Sequence, residues 1–178
     1  MTGPSITLRR RAVATTDPLV HALLAAAVAA PLVPRGGRGP LVTAVAAGTL
    51  IDVDHPLSVR SLRLGPMIGM ATRPRSHSLL SALVAGAVGA AAGGPVHGWA
   101  AFAGLSCHLL YDAGGESAPT PLLWPWAPPR QLRRGRALAG MAALVLGSWA
   151  VSRGAAGGTG RGAARPDGGG AAAPLRTV

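Results

Sequence analysis

Apolar residues gather into five blocks, at about 18–33, 40–51, 77–92, 96–111 and 137–151, separated by stretches rich in arginine, glycine and proline. Between 79 and 92 there is one hydroxyl, Ser81, and no charge; between 96 and 110 the polar or weakly polar breaks are His97, Ser106, Cys107 and His108. A helix on the surface of a water-soluble bundle keeps a polar face, and these blocks keep none. Several are shorter than the ~20 residues that cross a typical hydrocarbon core. The pattern predicts an all-α fold, a multi-pass membrane helical bundle with about four to five spans. Gly86, Gly89, Gly98, Gly104, Gly140 and Gly147 fall inside the blocks, where small residues let helix backbones approach closely in lipid. Arg38 to Pro40 and Gly93-Gly94-Pro95 mark turns.

Composition sharpens this picture. Hydrophobic residues make up 49% of the 178-residue chain and charged residues 13%, against about 25% charged in an ordinary soluble domain. Disorder of the central region is excluded, because disorder accompanies low hydrophobicity. Three regions follow: an N-terminal arm over 1–16, a helical metal-site domain over 17–152, and a disordered tail of arginine, glycine, alanine and proline over 153–178. The first polar stretch is long for a signal-peptide leader, so the first apolar block is expected to be retained.

The formal charge of +11 comes from arginine, with no lysine in the chain. Such charge is compatible with nucleic acid, but no basic stripe lies beside stacking aromatics, and no nucleic-acid partner is expected. The arginines instead sit between the apolar blocks. With the N-terminus inside, Arg9, Arg10, Arg11, Arg60, Arg63, Arg73, Arg75, Arg130, Arg133, Arg134 and Arg136 fall on the inner side, while Arg35, Arg38 and the tail's arginines fall outside. Arginine retention on the inner side predicts N-inside, C-outside with five spans.

Ionisable groups in apolar helices point to function. On this topology His21, Asp52, Asp54, His55, His77, His108 and Asp112 all reach the inner face, from four separate spans. His108 and Asp112 are four apart and share a helix face; Asp52 and His55 are three apart. His97 opens its block at the other face and is not expected to be a ligand. Cys107, the single cysteine, points off the His108/Asp112 face and reads as a small packing residue. Imidazole and carboxylate donors suit zinc, with manganese or iron(II) as alternatives.

Four segments carry a resemblance: Thr49-Leu50-Ile51-Asp52-Val53-Asp54-His55-Pro56, Arg73-Pro74-Arg75-Ser76-His77-Ser78, Ser106-Cys107-His108-Leu109-Leu110-Tyr111-Asp112 and Pro121-Leu122-Leu123-Trp124-Pro125. In this order, with His21 ahead of them, they resemble the bacterial inner-membrane metal-dependent hydrolases known as LexA-binding hydrolases, over about 16–130. The chain departs from that family's pattern at Ile51, where the family has proline, at Thr72, where it has a histidine, and at Gly115, where it has threonine.

The resemblance implies a multi-pass protein of the inner (cytoplasmic) membrane that hydrolyses an ester or phosphoester through a metal-activated water. His21, His77, His108 and Asp112 are the expected ligands. Asp52 or Asp54 completes the shell or acts as general base, with the other orienting a histidine, and His55 lies in the same cluster. Arg73 and Arg75 flank His77 and suit an anionic headgroup. Membrane lipid is the expected partner and a lipid-like or small molecule the expected substrate. The rival reading is a non-catalytic metal-binding membrane protein or ion transporter.

Overall fold

The computed structural model describes residues 8–115 and 118–158. Among them the regular elements are helices, joined by non-helical stretches at 69–78 and 118–133, the latter holding one isolated antiparallel bridge between Thr120 and Arg130. In order come α1 (Leu8–Ala29), a 3-10 turn (Ala30–Leu32), α2 (Val33–Gly36), α3 (Gly39–Leu50), a second 3-10 turn (Ile51–Val53), α4 (Asp54–Val59), α5 (Leu64–Ile68), α6 (Leu79–Gly93), α7 (Pro95–Gly114) and α8 (Arg134–Gly158).

The five apolar blocks become α1, α3, α6, α7 and α8, with shifted ends. α1 begins at Leu8 and carries Pro18 within it. α6 starts two residues after His77, because the Ser78 hydroxyl accepts from the amide of Ser81 and fixes the helix start there. Gly94, at φ +82°, makes the turn into α7, a conformation that glycine adopts without steric cost. α8 continues to Gly158; the rest of the tail, like residues 1–7 of the arm, lies outside the described residues.

α7 is the central helix. It packs on α1, α3, α6 and α8 and buries residues along its whole length, from Gly98 to Ala113. The crossings are made of small residues. A Cβ on Gly104 would collide with the backbone of Ala44, and one on Gly48 would stand 2.9 Å from the Cβ of Ala25 and 3.0 Å from the carbonyl oxygen of Gly104. The backbones of α1, α3 and α7 therefore approach about as closely as they can just above the ends of α3 and α7.

Contacts at the two ends set helix direction. Thr43 of α3 meets His97 of α7 at one end. At the other, Asp52 follows α3 and faces His108 of α7, and Ala113 of α7 accepts from Leu132 just before α8. Successive long helices alternate in direction. Exposed large hydrophobic side chains on the outer helices include Leu19 and Leu23 on α1, Val42 and Leu50 on α3, Leu83, Val84 and Val88 on α6, and Leu138, Leu146 and Trp149 on α8; Val53, Leu57, Leu62, Leu123 and Trp126 are exposed on the shorter connecting segments. An apolar outer belt of this kind suits lipid rather than water. Among the described residues one helix, over Arg134–Gly154, is long and apolar enough to cross a membrane by length and composition; Thr16–Leu32 and Leu79–Gly93 are shorter apolar helices. The other long helices do not individually meet that test, so length and composition do not by themselves give the four to five spans expected from the blocks.

Candidate metal centre

Four chain segments bring the polar residues together. His21 lies midway along α1, Asp52 in the 3-10 turn after α3, Asp54 and His55 at the start of α4, His77 on the loop before α6, and His108 and Asp112 near the end of α7. The segment after α7 braces that loop: Pro119 accepts from the amide of Arg73 and Leu122 from that of Leu79. This gives the Pro121-Leu122 stretch a structural task, since it holds Arg73 and His77 on either side of a fixed turn.

The three central histidines are arranged alike. Nδ1 of each faces an acceptor at the periphery: His21 at 3.3 Å from Asp52 Oδ2, His77 at 3.5 Å from Asp54 Oδ2, and His108 at 2.8 Å from the Gly48 carbonyl oxygen. Nε2 of each is buried with no hydrogen-bond partner among the described residues, and at His77 so is Nδ1, whose 3.5 Å approach to Asp54 is a charge contact. His21, His77 and His108 are 0–1% exposed, so bulk solvent does not reach these nitrogens. A buried, unsatisfied polar atom costs about 1–3 kcal/mol, and three of them converge here.

What the nitrogens face is carboxylate. Asp112 Oδ1 is 3.5 Å from His21 Nε2, and Asp112 Oδ2 is 3.6 Å from His108 Nε2 and 3.9 Å from His77 Nε2. Asp52 Oδ1 is 3.4 Å from His77 Nε2 and 3.6 Å from His108 Nε2. Donors about 2.1 Å from one tetrahedral zinc ion stand roughly 3.4 Å apart. The nitrogen-to-oxygen spacings in this cage, 3.4–3.9 Å, suit metal donors, which fall into two adjoining groups, His21 with His108 and Asp112 and Asp52 with His55 and His77; nitrogen-plus-carboxylate chemistry fits zinc, manganese or iron(II).

Around the cage stands a second layer. Arg73 grips Asp112 with two contacts, Nη2 donating to Oδ1 at 3.0 Å and Nε lying 3.0 Å from Oδ2. Its Nη1 donates to His55 Nε2 at 2.6 Å. His55 Nδ1 lies 3.1 Å from Asp54 Oδ1 and 3.2 Å from the Asp52 carbonyl oxygen. Ser76 donates its hydroxyl to Asp54. His55 Nε2 is thus taken by Arg73, while its Nδ1 also lies 3.5 Å from Asp52 Oδ1, which leaves His55 grouped with Asp52 and His77. Asp17, four residues before His21, lies 3.9 Å from Arg73; that spacing on one helix face was the signal for it in the sequence. Gly48 and Ser76 carried no such signal.

Electrostatics keeps the peripheral carboxylates anionic. Burial opposes the charge on Asp52 and Asp54, but the histidines outweigh it and hold both below the ordinary carboxylate value: His21 and His77 act on Asp52, His55 and His77 on Asp54. Burial likewise opposes a cationic His77, and the carboxylates of Asp52 and Asp54 outweigh it, raising that imidazole above its usual value. Asp52 and Asp54 are 26% and 21% exposed at their side chains, so the site opens to its surroundings on their side.

The other expected positions fall as follows. His97 lies at the opposite end of α7, its Nδ1 2.9 Å from the Thr43 hydroxyl. Cys107 is buried in a cluster with Val28, Ala103 and Leu144. Arg75 is exposed, with its guanidinium 5.9 Å from the ring of Trp124. Residues 17–167 match the sequence profile of a family described as YdjM inner membrane protein. No curated protein and no solved structure matches the chain.

Proposed function

This chain belongs to the YdjM inner membrane protein family, and from that premise we propose that it is a multi-pass membrane hydrolase dependent on one divalent metal ion, most naturally zinc. The observation that carries the reading is the common pose of His21, His77 and His108, with Nδ1 on an outer acceptor and a buried Nε2 turned toward Asp112 or Asp52. His21, His77, His108 and Asp112 would hold the ion, with Asp52 beside them. Bound there, the ion supplies an acidified water and polarises a carbonyl or phosphoryl oxygen.

The chain's own groups divide the remaining work. Gly48 and Asp54 orient His108 and His77 through their outer nitrogens, as outer partners of metal-binding imidazoles do. Arg73 fixes Asp112, and His55 fixes Arg73. Asp54 stays deprotonated at neutral pH, which suits it to hold the outer nitrogen of His77. The five long helices act as the spans. Arg60, Arg63, Arg75, Arg130 and Arg133 lie near the end that carries the site, which supports a cytoplasmic position for it.

Elemental analysis of detergent-purified protein, joined to hydrolysis of chromogenic carboxylic and phosphoric esters with and without a chelator, tests the proposal. One metal ion per chain with chelator-sensitive turnover supports it. A stoichiometric ion without turnover on any ester favours a non-catalytic tie between helix ends, and absence of bound metal removes both readings.

A further inference from the structure

Resting on that reading, we propose that the site takes an anionic membrane phospholipid, one acyl chain of which enters sideways through a groove between α3 and α6. α3 and α6 each pack along α7, but they make no extended contact with each other. The space between them is a groove lined by Ala47, Leu50 and Ile51 on one wall and Leu80, Val84 and Ala85 on the other, with Leu105 of α7 also lining it. Ser81 is the one polar side chain in the lining, and its hydroxyl lies 3.3 Å from that of Ser78.

Position gives the groove its meaning. Ile51 is followed directly by Asp52, and Leu80 lies three residues after His77. One end of the apolar groove therefore lies next to the segments that carry Asp52 and His77. From there it follows α3 and α6 for roughly 6–8 Å at 1.5 Å per helical residue. Alanines at 47 and 85 keep both walls low, while Leu50 and Val84, 65% and 56% exposed, extend its apolar rim.

Charge selects the headgroup. The loops at the site end of the groove carry Arg60, Arg63 and Arg75, all exposed, and Arg75 is two residues from His77. Arg73, by contrast, is committed to Asp112 and His55 and is not available to a ligand. An amphiphile with its chain between α3 and α6 and its phosphate beside these arginines brings its ester linkages to the cage. A soluble ester has no use for the groove.

The test is photo-crosslinking in nanodiscs, using phosphatidylglycerol with a diazirine on one acyl chain and, separately, phosphatidylcholine with the same chain. Peptide mapping is expected to show phosphatidylglycerol adducts enriched several-fold at 47–51 and 80–85 over the outer faces at Leu19, Leu23, Leu138 and Leu146, and more strongly than with phosphatidylcholine. Ala85→Trp, or Ala47→Phe should Ala85→Trp misfold, is expected to remove the enrichment and leave metal content unchanged; Val88→Trp, outside the groove, is expected to leave it intact. Even labelling of all lipid-facing helices, enrichment that survives both filling substitutions, or equal enrichment with phosphatidylcholine overturns the proposal. Metal content measured on the same samples separates the two ideas. Metal with even labelling sinks the groove alone, while localised labelling without metal sinks the hydrolase reading and leaves the groove as a lipid site.

Discussion

The carbonyl oxygen of Gly48 on α3 accepts from Nδ1 of His108 on α7 at 2.8 Å, which turns the His108 Nε2 lone pair into the cage. Asp112, one turn further along, points into the same space. His108→Ala and Asp112→Ala should each reduce bound metal at least tenfold in elemental analysis. His97→Ala should leave it unchanged, because His97 lies roughly 17 Å away along the helix and bonds to Thr43. Metal lost from His97→Ala but kept by His108→Ala would reverse the assignment.

Gly104 lies four residues before His108, with the Ala44 backbone against its Cα. Gly104→Ala should force α3 away from α7, lengthening the His108–Gly48 hydrogen bond. The expected cost is about 1–3 kcal/mol, as for other overpacked contacts. A lower thermal midpoint in detergent should accompany weaker metal binding. An unaltered midpoint and metal affinity would show that the close crossing does not position the site.

The helices and the site were unequally legible in the sequence. Uninterrupted apolar blocks located α3, α6, α7 and α8 because burial and lipid exposure both select against charge. Their ends were less clear, since Ser78 capping and the 3-10 turn at Ile51–Val53 are local hydrogen-bond choices that hydrophobicity does not encode. The i, i+4 spacing of His108 and Asp112 identified a shared face, and arginine placement put the other candidates at the same end. Spacing alone does not show that His55 is held by Arg73 while His77 points inward. That difference depends on the fold of the 70–79 loop against Pro119 and Leu122.

Metal affinity should rise with pH past the ordinary imidazole range. The histidines must lose their protons to bind the ion, and Asp52 and Asp54 raise the proton affinity of His77 in the metal-free site. A proton therefore still competes above about pH 6.5, the usual imidazole value. Zinc affinity from chelator competition between pH 5.5 and 9 should climb through neutrality and level off only above it. A plateau already reached at pH 6 would contradict the raised value at His77.

Reporter fusions test the orientation. With arginines gathered at the site end, fusions after Arg60 and after Arg130 should read cytoplasmic and one at Gly93 external. Opposite readings for the first two would divide the segments that build the cage between two sides of the membrane, which the structure does not allow.

Arg73 offers the sharpest separation between holding the site and binding the substrate. Its guanidinium contacts both oxygens of Asp112, a side chain 1% exposed, and its third nitrogen contacts His55. Lysine carries the charge but lacks the planar fork that makes these contacts together. Arg73→Lys should therefore behave nearly like Arg73→Ala, and both should weaken metal affinity by about 10–100-fold, as lost outer partners of metal ligands do. His55→Gln should move affinity in the same direction by less, because it loosens Arg73 without removing it. Arg75→Ala, at an exposed arginine whose guanidinium lies by Trp124 and not on a donor, should leave metal affinity unchanged. If Arg73→Lys keeps wild-type metal affinity and alters only the response to anionic esters, Arg73 serves the substrate and not Asp112.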